Sequence, residues 1–371
     1  MSSRFRRLAH KRGLTGVALG AGALSLMLTP IAAGAAAPYK KLTPLQQGLN
    51  FYKGKVITLV SPDAVGGGFD LTARAIAPSL ASFLGATVNV TNDAPANTIA
   101  GQDYFEAQAP DGLTIGMINA GADIENIVTG VTGVNFNPQK LQFLGGNNAS
   151  GGGFSCLASS GITSFGQVVH STSPITETVV STGSQTLQTD LINASFGINA
   201  KIIGGYASTS AEVQGFERGD GACGPLSIST GSFGPFLQAG KANQLLKLSS
   251  SNPATAFYQY QANAMPIQTA FKQFPATTKA EKAARIALLE VGSGVGHEWN
   301  VQPRVASYKV AALRAAVKSA LTNITVEDRL LSEGQQNGYV TGPRALQGYK
   351  NELAALKNPE VVSLIKSALG V

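Results

Sequence analysis

The chain has 371 residues, and its 28 lysines and arginines outnumber its 21 aspartates and glutamates to give a net charge of +7. Five of the basic residues and none of the acidic ones precede residue 38, which leaves 23 against 21 in the remainder. The remainder has no basic stripe of the kind that binds nucleic acid, so we exclude that class, and its length favours two domains.

Residues 1–37 have the pattern of a secretory signal peptide. A basic segment from Arg4 to Arg12 precedes an apolar run from Leu14 to Ala33, and an A-x-A pattern ends at Ala37. A membrane anchor is the alternative, but glycines and Pro30 interrupt the run. No later apolar run reaches the roughly 18 residues of a membrane span. We therefore expect an exported protein, periplasmic or extracellular, that is soluble once the signal peptide is removed.

A strand, a glycine loop and a helix are predicted between Val56 and Ala77. The β-branched run VITLV is followed by Ser-Pro-Asp, then by three glycines, then by apolar residues at helical spacing. Such a junction directs backbone N–H groups and the positive end of a helix dipole to one point, which suits an anion. Asp70 is expected to brace this loop rather than to perform chemistry.

Strands and helices continue to alternate through the first half of the chain. We predict a strand at Thr87–Val90, a polar loop in NDAPANTIAG, a helix in AGQDYFEAQA, a strand in LTIGMI, and the loop NAGAD before a short helix. This order is typical of βαβ units, in which helices cover a parallel sheet. The sequence therefore predicts an α/β architecture.

A second block of the same kind begins near residue 155. Strands and helices are predicted in ETVVSTGSQTLQTDLINASFG and in KIIGGYASTSAEVQGFERGDGACGPL, where Thr209 and Glu212 have the spacing of a capping box. The glycine-rich segment 145–153 is predicted to be a flexible crossing between domains, and 252–281 to be irregular. Helices in VAALRAAVKSALTN and RALQGYKNELAALK are expected to pack on the first domain.

Cysteines and histidines are few. Cys156 and Cys223 are the only cysteines. In an exported protein they could form a disulfide or remain two buried thiols, because sequence spacing does not set their Cα separation. His170 and His297, the histidines after residue 37, lie in no ligand-spaced cluster, so we expect no metal site.

Known catalytic and cofactor motifs do not fit the chain. Leu71 stands where a dinucleotide fingerprint needs its third glycine, and no Gly-Lys-Ser/Thr of a Walker loop is present. No G-x-S-x-G segment occurs, and no spacing forces two carboxylates together. We expect no cofactor and no enzyme; a secreted hydrolase is the alternative from another class.

Polar loops at four predicted strand ends are the remaining candidates for a site. Ligands of open α/β sheets bind beyond the carboxyl ends of the strands, and two such domains that face each other form a cleft. In an exported chain without catalytic motifs, these loops favour the reversible capture of a small anionic or polar solute. The loops are SPDAVGGG, NDAPANTIAG, STGSQT and GYASTS.

The chain resembles the extracytoplasmic receptors of tripartite tricarboxylate transporters, also called the Bug family. The similarity runs from about Phe51 to the C-terminus. It rests on FYKGKVITLV, a proline followed by GGGFD and then Arg74, Pro110-Asp111-Gly112 before LTIG, and late in the chain LEVGSGVG and VQPRVASYKVAALRAAV.

This resemblance implies a type II periplasmic-binding-protein fold. That fold has two α/β lobes, each a mainly parallel sheet flanked by helices, and the ligand cleft lies between the lobes. We expect lobe 1 to comprise 38–148 and 286–371, and lobe 2 to comprise 149–285. The implied partners are a small organic acid and integral membrane permease subunits, and we expect a monomer. A sensor or scavenger of the same fold without a permease is the alternative.

In that family two loops of the first lobe grip one carboxylate largely through backbone N–H groups. The matching segments here are 62–68 and 95–98. Pro95 lacks an N–H, and a carboxylate at Asp63 would repel a ligand anion unless it is protonated or turned away. With two strand-end loops of the second lobe, the candidate ligand-binding residues are Pro62, Asp63, Ala64, Gly66, Gly67, Gly68, Ala96, Asn97, Thr98, Thr182, Gly183, Ser184, Gln185, Tyr206, Ser208 and Thr209.

Overall fold

The computed structural model describes residues 41–92, 99–148, 152–180, 184–226, 233–248, 264–293, 295–333, 335 and 338–369. The predicted signal peptide, residues 1–37, lies outside this part of the chain. Within it, no helix has both the length and the apolar character that crossing a bilayer requires.

Fourteen α-helices and twelve strands alternate along the described residues. The helices are α1 Pro44–Tyr52, α2 Gly68–Leu84, α3 Ile99–Glu106, α4 Ala120–Thr129, α5 Phe165–Val169, α6 Ser184–Phe196, α7 Thr209–Arg218, α8 Phe233–Gln238, α9 Ile267–Gln273, α10 Lys279–Ser293, α11 Ser307–Leu321, α12 Ile324–Ser332, α13 Gly342–Leu356 and α14 Pro359–Leu369. The strands are β1 Val56–Ser61, β2 Thr87–Asn92, β3 Thr114–Ile118, β4 Gln142–Asn148, β5 Gly153–Leu157, β6 Ile175–Val180, β7 Ala200–Tyr206, β8 Cys223–Gly224, β9 Ala242–Lys247, β10 Met265–Pro266, β11 Val295–Val301 and β12 Val340–Thr341.

The strands form two six-stranded sheets, one in each lobe. The first sheet has the order β12-β4-β11-β3-β1-β2, and the second has the order β10-β9-β5-β8-β6-β7. β1 pairs in parallel with β2 and β3, and β6 pairs in parallel with β7 and β8. The α/β class and the two-lobed architecture predicted from the sequence are therefore confirmed.

Each sheet also contains an internal strand, β11 in the first and β5 in the second, that runs antiparallel to the two strands beside it. β11 lies between β3 and β4, and β5 lies between β8 and β9. β12 is antiparallel to β4 as well, at the edge of the first sheet. β5 and β11 are the strands that follow a passage of the chain from one sheet to the other. Each of them begins at the sheet edge where its neighbours end, and it therefore runs in the opposite direction to them.

The expected lobe boundaries stay a prediction. All strands of the first sheet lie within 56–148 and 295–341, and those of the second lie within 153–266. The proposed boundary after residue 285 falls inside α10, which packs on α6, α13 and α14.

One buried apolar cluster joins the two sheets. It contains Phe143 of β4 and Phe154 of β5, together with side chains of α6, α10, α13 and α14. Arg285 of α10 fixes this region: its guanidinium donates to the carbonyl oxygens of Ser195, Phe271 and Phe274. A second cluster lies around Trp299 of β11 and contains residues of α2 and α11. The lobes therefore share a core on the side of the molecule where these helices pack.

The glycine-rich segment 145–153 differs from its prediction. Its first four residues belong to β4 rather than to a flexible crossing. A Cβ on Gly146 would lie 2.2 Å from Val295 Cγ1, and one on Gly145 would lie 2.9 Å from Tyr339 Cε2. These glycines are required because neighbouring strands approach closely, and this reason is not visible in the sequence.

Three local predictions also need correction. NAGAD is not a loop, since Asn119 caps α4 by accepting a hydrogen bond from Ala122 N–H at 3.3 Å. The N-cap of α7 is Ser208 and not Thr209, which is the first helical residue. The region 252–281 contains β10, α9 and the start of α10.

Cys156 and Cys223 are joined in a disulfide. The two residues are directly opposite each other on the antiparallel strands β5 and β8, and both are fully buried. Pairing of the strands brings their Cα atoms to 4.0 Å, so the sheet itself supplies the proximity that sequence spacing leaves open.

Glu177 is buried in the middle of β6. Its Oε2 accepts a hydrogen bond from Asn193 at 2.8 Å, whereas its Oε1 has no partner among the described residues. Burial raises the pKa of Glu177 to about 8, and the nearby carboxyl of Asp190 adds to this rise. Burial also raises the pKa of Asp190, to about 7. At neutral pH much of the Glu177 population is therefore protonated.

Replacing both cysteines by alanine should lower the free energy of unfolding. The closed loop spans 67 residues, which corresponds to about 4 kcal/mol in the chain-entropy model. Urea unfolding of the wild type and of the Cys156→Ala/Cys223→Ala variant measures this difference. Thiol labelling of the unreduced, denatured wild type should detect no free cysteine; labelling at both positions would contradict the bond.

Stability should fall as pH rises from about 5 to 8, and Glu177→Gln should weaken this trend. The folded-state pKa of Glu177 lies above its unfolded value of about 4.5, so the native state binds more protons in this window and loses stability as pH rises. We expect Glu177→Gln to raise the melting temperature at pH 9 by about 2 to 5 °C and to change it little at pH 5. Glu217→Gln, an exposed change on α7, is the control and should leave the slope unaltered.

Candidate functional site

The glycine loop that the sequence predicts at the end of β1 is present. Residues 62–67 connect β1 to α2, which begins at Gly68. Gly66 has φ +83°, a left-handed backbone that favours glycine. The loop therefore lies at the carboxyl edge of the first sheet, where open α/β sheets bind ligands.

Asp70 anchors this loop to the rest of the first lobe. Its side chain is 2% exposed, and it pairs with Arg74, one turn further along α2, at 2.8 Å. Its Oδ2 accepts the N–H of Gly66 at 2.9 Å, and its Oδ1 accepts Asn92 Nδ2 at 2.8 Å. Burial alone would raise the pKa of Asp70, but the hydrogen bonds from Arg74, Gly66 and Asn92 outweigh it and hold the pKa below its ordinary value. The bracing role predicted for Asp70 is confirmed.

Asn92 completes this network at the end of β2; it begins the candidate loop NDAPANTIAG but was not among the predicted ligand-binding residues. Its Nδ2 donates to the carbonyl oxygen of Asp63 at 2.9 Å, and its Oδ1 accepts from Arg74 at 2.9 Å. Its position as the last residue of a strand was the available signal, since polar residues at strand ends were already candidates.

Asp63 is turned into its own loop. Its Oδ1 accepts the N–H of Ala64 at 2.8 Å, and its Oδ2 accepts the N–H of Phe69 at 3.4 Å, in the first turn of α2. The pKa of Asp63 is raised to about 6, mainly by burial and to a smaller extent by the nearby charge of Asp70. The hydrogen bonds from the two N–H groups act in the opposite direction. Gly67 is needed beside it, because a Cβ there would lie 1.9 Å from Asp63 Oδ2.

A hydrogen bond joins the strand-end segments of the two lobes. Ser210, the second residue of α7, donates through its Oγ to the carbonyl oxygen of Gly66 at 2.9 Å. This contact joins the loop after β1 to the start of α7, which follows β7. The carboxyl edges of the two sheets therefore lie next to each other. Ser210 was not among the predicted ligand-binding residues, although it is the last residue of the candidate loop GYASTS.

Two of the predicted second-lobe residues, Ser208 and Tyr206, have structural roles. Ser208 Oγ accepts the N–H of Ala211 at 3.3 Å and so caps α7. The Tyr206 hydroxyl donates to Asp220 at 2.8 Å, and its ring lies against Gly215, where a Cβ would be 2.4 Å from Cε1. Burial and the bond to Asp220 raise the pKa of Tyr206 to about 12.

The other predicted residues are only partly described. Ser184 and Gln185 are the first two residues of α6. Ala96, Asn97, Thr98, Thr182 and Gly183 lie outside the described residues, as does Pro95.

His297 lies beside the glycine loop and was not predicted as a site residue. Its ring is 4.1 Å from that of Phe69, and its backbone N–H donates to Asn147 Oδ1 at 2.7 Å. Burial lowers the pKa of His297 to about 4, so the ring is neutral at physiological pH. Within the described part of the chain, no group of three or more His, Cys, Asp or Glu side chains is arranged to hold a metal ion.

Glu212 is a buried carboxyl at the start of α7. It is fully buried, and neither oxygen has a hydrogen-bond partner among the described residues. Burial raises its pKa well above the ordinary value.

No protein-family model and no curated protein sequence matches the chain. Solved structures are similar to it. A TctC solute-binding protein from Polaromonas, without ligand, is 15% identical with a TM-score of 0.61, over 85% of this chain and 99% of that one. MatC from Rhodopseudomonas palustris with bound malate is 18% identical with a TM-score of 0.60, over 85% and 99% of the two chains. Rpa4515 from R. palustris with adipate is 17% identical with a TM-score of 0.63, and the similarity covers 85% of this chain and 97% of that one.

At these identities the similarity shows the fold. The chain has the two-lobed α/β fold of periplasmic solute-binding proteins, as the sequence resemblance implies.

Asp70→Asn should destabilise the protein by about 2 to 3 kcal/mol, because it removes a buried charge on which three donors converge. Urea unfolding measures the change. Glu333→Gln is the matched control: Arg329 and Glu333 form a pair with the same i, i+4 spacing and nearly equal arginine exposure, 43% against 42%, but the acid is 22% exposed. We expect less than about 0.5 kcal/mol for this control. Equal losses in both variants would contradict the bracing role.

Proposed function

We propose that this protein is an extracytoplasmic solute-binding receptor of the tripartite tricarboxylate transporter type. It captures a small organic acid between its two lobes and delivers it to integral membrane permease subunits. The observation that carries the proposal is the contact between Ser210 and Gly66, which brings two strand-end loops of different lobes together. A solute held between these loops touches both lobes, and only such a solute favours one relative arrangement of the lobes over another.

The ligand class is supported by two features. The loop after β1 leads into the start of α2, where the positive end of the helix dipole favours a negatively charged group. Two proteins of the same fold are named with bound dicarboxylates, malate and adipate. Of the candidate residues, we place Pro62–Gly68 and Ala96–Thr98 at one end of the solute, and Thr182–Gln185 and Tyr206–Thr209 at the other.

A binding role also fits the chemistry of the described groups. The most strongly perturbed acids at the loops are Asp63, held by backbone N–H groups, and Glu212, which is buried with a raised pKa. Among the described residues neither acid is hydrogen-bonded to a nucleophile that it could activate, and general acid–base catalysis needs such a contact. We expect a monomer that acts outside the cytoplasm after removal of residues 1–37.

Thermal shift and calorimetry against mono-, di- and tricarboxylates, malate and adipate included, test the proposal. A ligand at about a hundred times its dissociation constant should add roughly 2.7 kcal/mol of stability. Recovery of the unchanged ligand after incubation distinguishes a receptor from a hydrolase. No shift with any acid would contradict the proposed function.

Gly66→Ala should weaken binding of the best acid by about tenfold, because an alanine disfavours φ +83° and the loop must change. Gly130→Ala is the matched control. Gly130 ends α4 with φ +73°, and at both positions a Cβ would meet open space. The two variants should lose similar stability, so a binding defect shared by both would argue against a ligand site at Gly66.

A further inference from the structure

The loop after β1 already holds an anion that belongs to the chain. Four backbone N–H groups between residues 64 and 69 donate to acceptors within the protein. Those of Ala64 and Phe69 bind the Asp63 carboxylate, that of Gly66 binds Asp70, and that of Gly67 binds the carbonyl oxygen of Ala64. The donors that would be expected to grip a ligand carboxylate are thus largely used by two aspartates.

The two aspartates differ in how their charge is compensated. Asp70 is paired with Arg74 and is inaccessible. Asp63 is half-buried, and none of the ion pairs formed by the described residues includes it. The loop therefore presents an uncompensated negative charge beside Gly66, at the point where the second lobe makes contact.

The other charged or titratable groups that the structure describes near this point do not cancel that charge. Arg74 is engaged by Asp70 and Asn92, His297 is buried with a lowered pKa, and Glu212 is a carboxyl, which supplies no positive charge. A carboxylate brought to the loop would meet the charge of Asp63 in a region of reduced screening, where like charges repel most strongly.

We propose that Asp63 is the specificity-determining residue of this loop, and that it selects a ligand whose end at the loop is a hydrogen-bond donor rather than a second carboxylate. This inference rests on the proposed function and refines it. The preferred solute is a small organic acid with one carboxylate and, at its other end, an ammonium group. Asp63 accepts from that group, and dicarboxylates of the same length bind more weakly.

Matched pairs of solutes test the preference at pH 7.5. The pairs are succinate with 3-aminopropanoate, glutarate with 4-aminobutanoate, and adipate with 5-aminopentanoate; within each pair an ammonium replaces one carboxylate. Calorimetry on the full exported chain gives the ratio of the two dissociation constants for each pair. In the wild type we expect the amino acid of the best-binding pair to bind about tenfold more tightly than the diacid, or better.

Asp63→Asn should shift that ratio by about tenfold or more toward the diacid, because it removes the charge and keeps an oxygen that can accept the Ala64 N–H. Asp63→Ser is a second variant, in case the amide disturbs the loop, and melting temperatures verify that both are folded. Asp328→Asn, an equal charge change at an exposed position on α12, should leave the ratio unaltered.

The outcomes separate the two proposals. Binding of these acids with a ratio that both Asp63 variants leave unchanged would overturn the role of Asp63 and leave the receptor function in place. Binding of diacids in preference to amino acids by the wild type would overturn it in the same way. If no solute of the panel, malate included, binds to any of the folded proteins, the receptor function fails and the selectivity proposal fails with it.

Discussion

The buried carboxylate of Asp70 connects three neighbouring elements of the first lobe. It binds the glycine loop through Gly66, strand β2 through Asn92, and its own helix through Arg74. A buried carboxylate is stable only when donors surround it, and these three donors are arranged by the fold as a whole. The loop therefore has one conformation because the helix and the neighbouring strand both specify it. The position of Gly66, its contact with Ser210 and the orientation of Asp63 all follow from this arrangement.

A second constraint is the passage of the chain between the sheets. β5 and β11 are each antiparallel to the two strands beside them. Each is also the first strand that the chain forms after it has left the other sheet. The shared apolar cluster around Phe143 and Phe154 stabilises the helical side of this junction. At the opposite edge the lobes contact through polar groups, the Ser210 hydroxyl and the Gly66 carbonyl oxygen among them. A ligand between the lobes can change their arrangement more easily at a polar edge of this kind than in a packed core.

Asp63 shows how one residue changes the chemistry of a common loop. A helix start with free N–H groups attracts anions, and a carboxylate of the chain itself satisfies that attraction without any ligand. The same carboxylate then alters what the loop accepts from solution. Whether the loop attracts or repels an organic anion is consequently decided by a side chain and not by the glycines that shape it.

The sequence by itself determined the alternation of strands and helices, the two α/β lobes, the glycine loop after β1 and the bracing role of Asp70. These depend on local patterns: apolar periodicity, turn residues and the spacing of Asp70 from the loop. Only the tertiary structure decided the antiparallel entry of β5 and β11, the pairing of Cys156 with Cys223, and the contributions of Asn92 and Ser210. Each of these requires two segments that are far apart in the chain to become neighbours. It also decided that Asp63 turns into the loop, because the direction of a side chain is set by the donors around it, and those donors are placed by the folded chain.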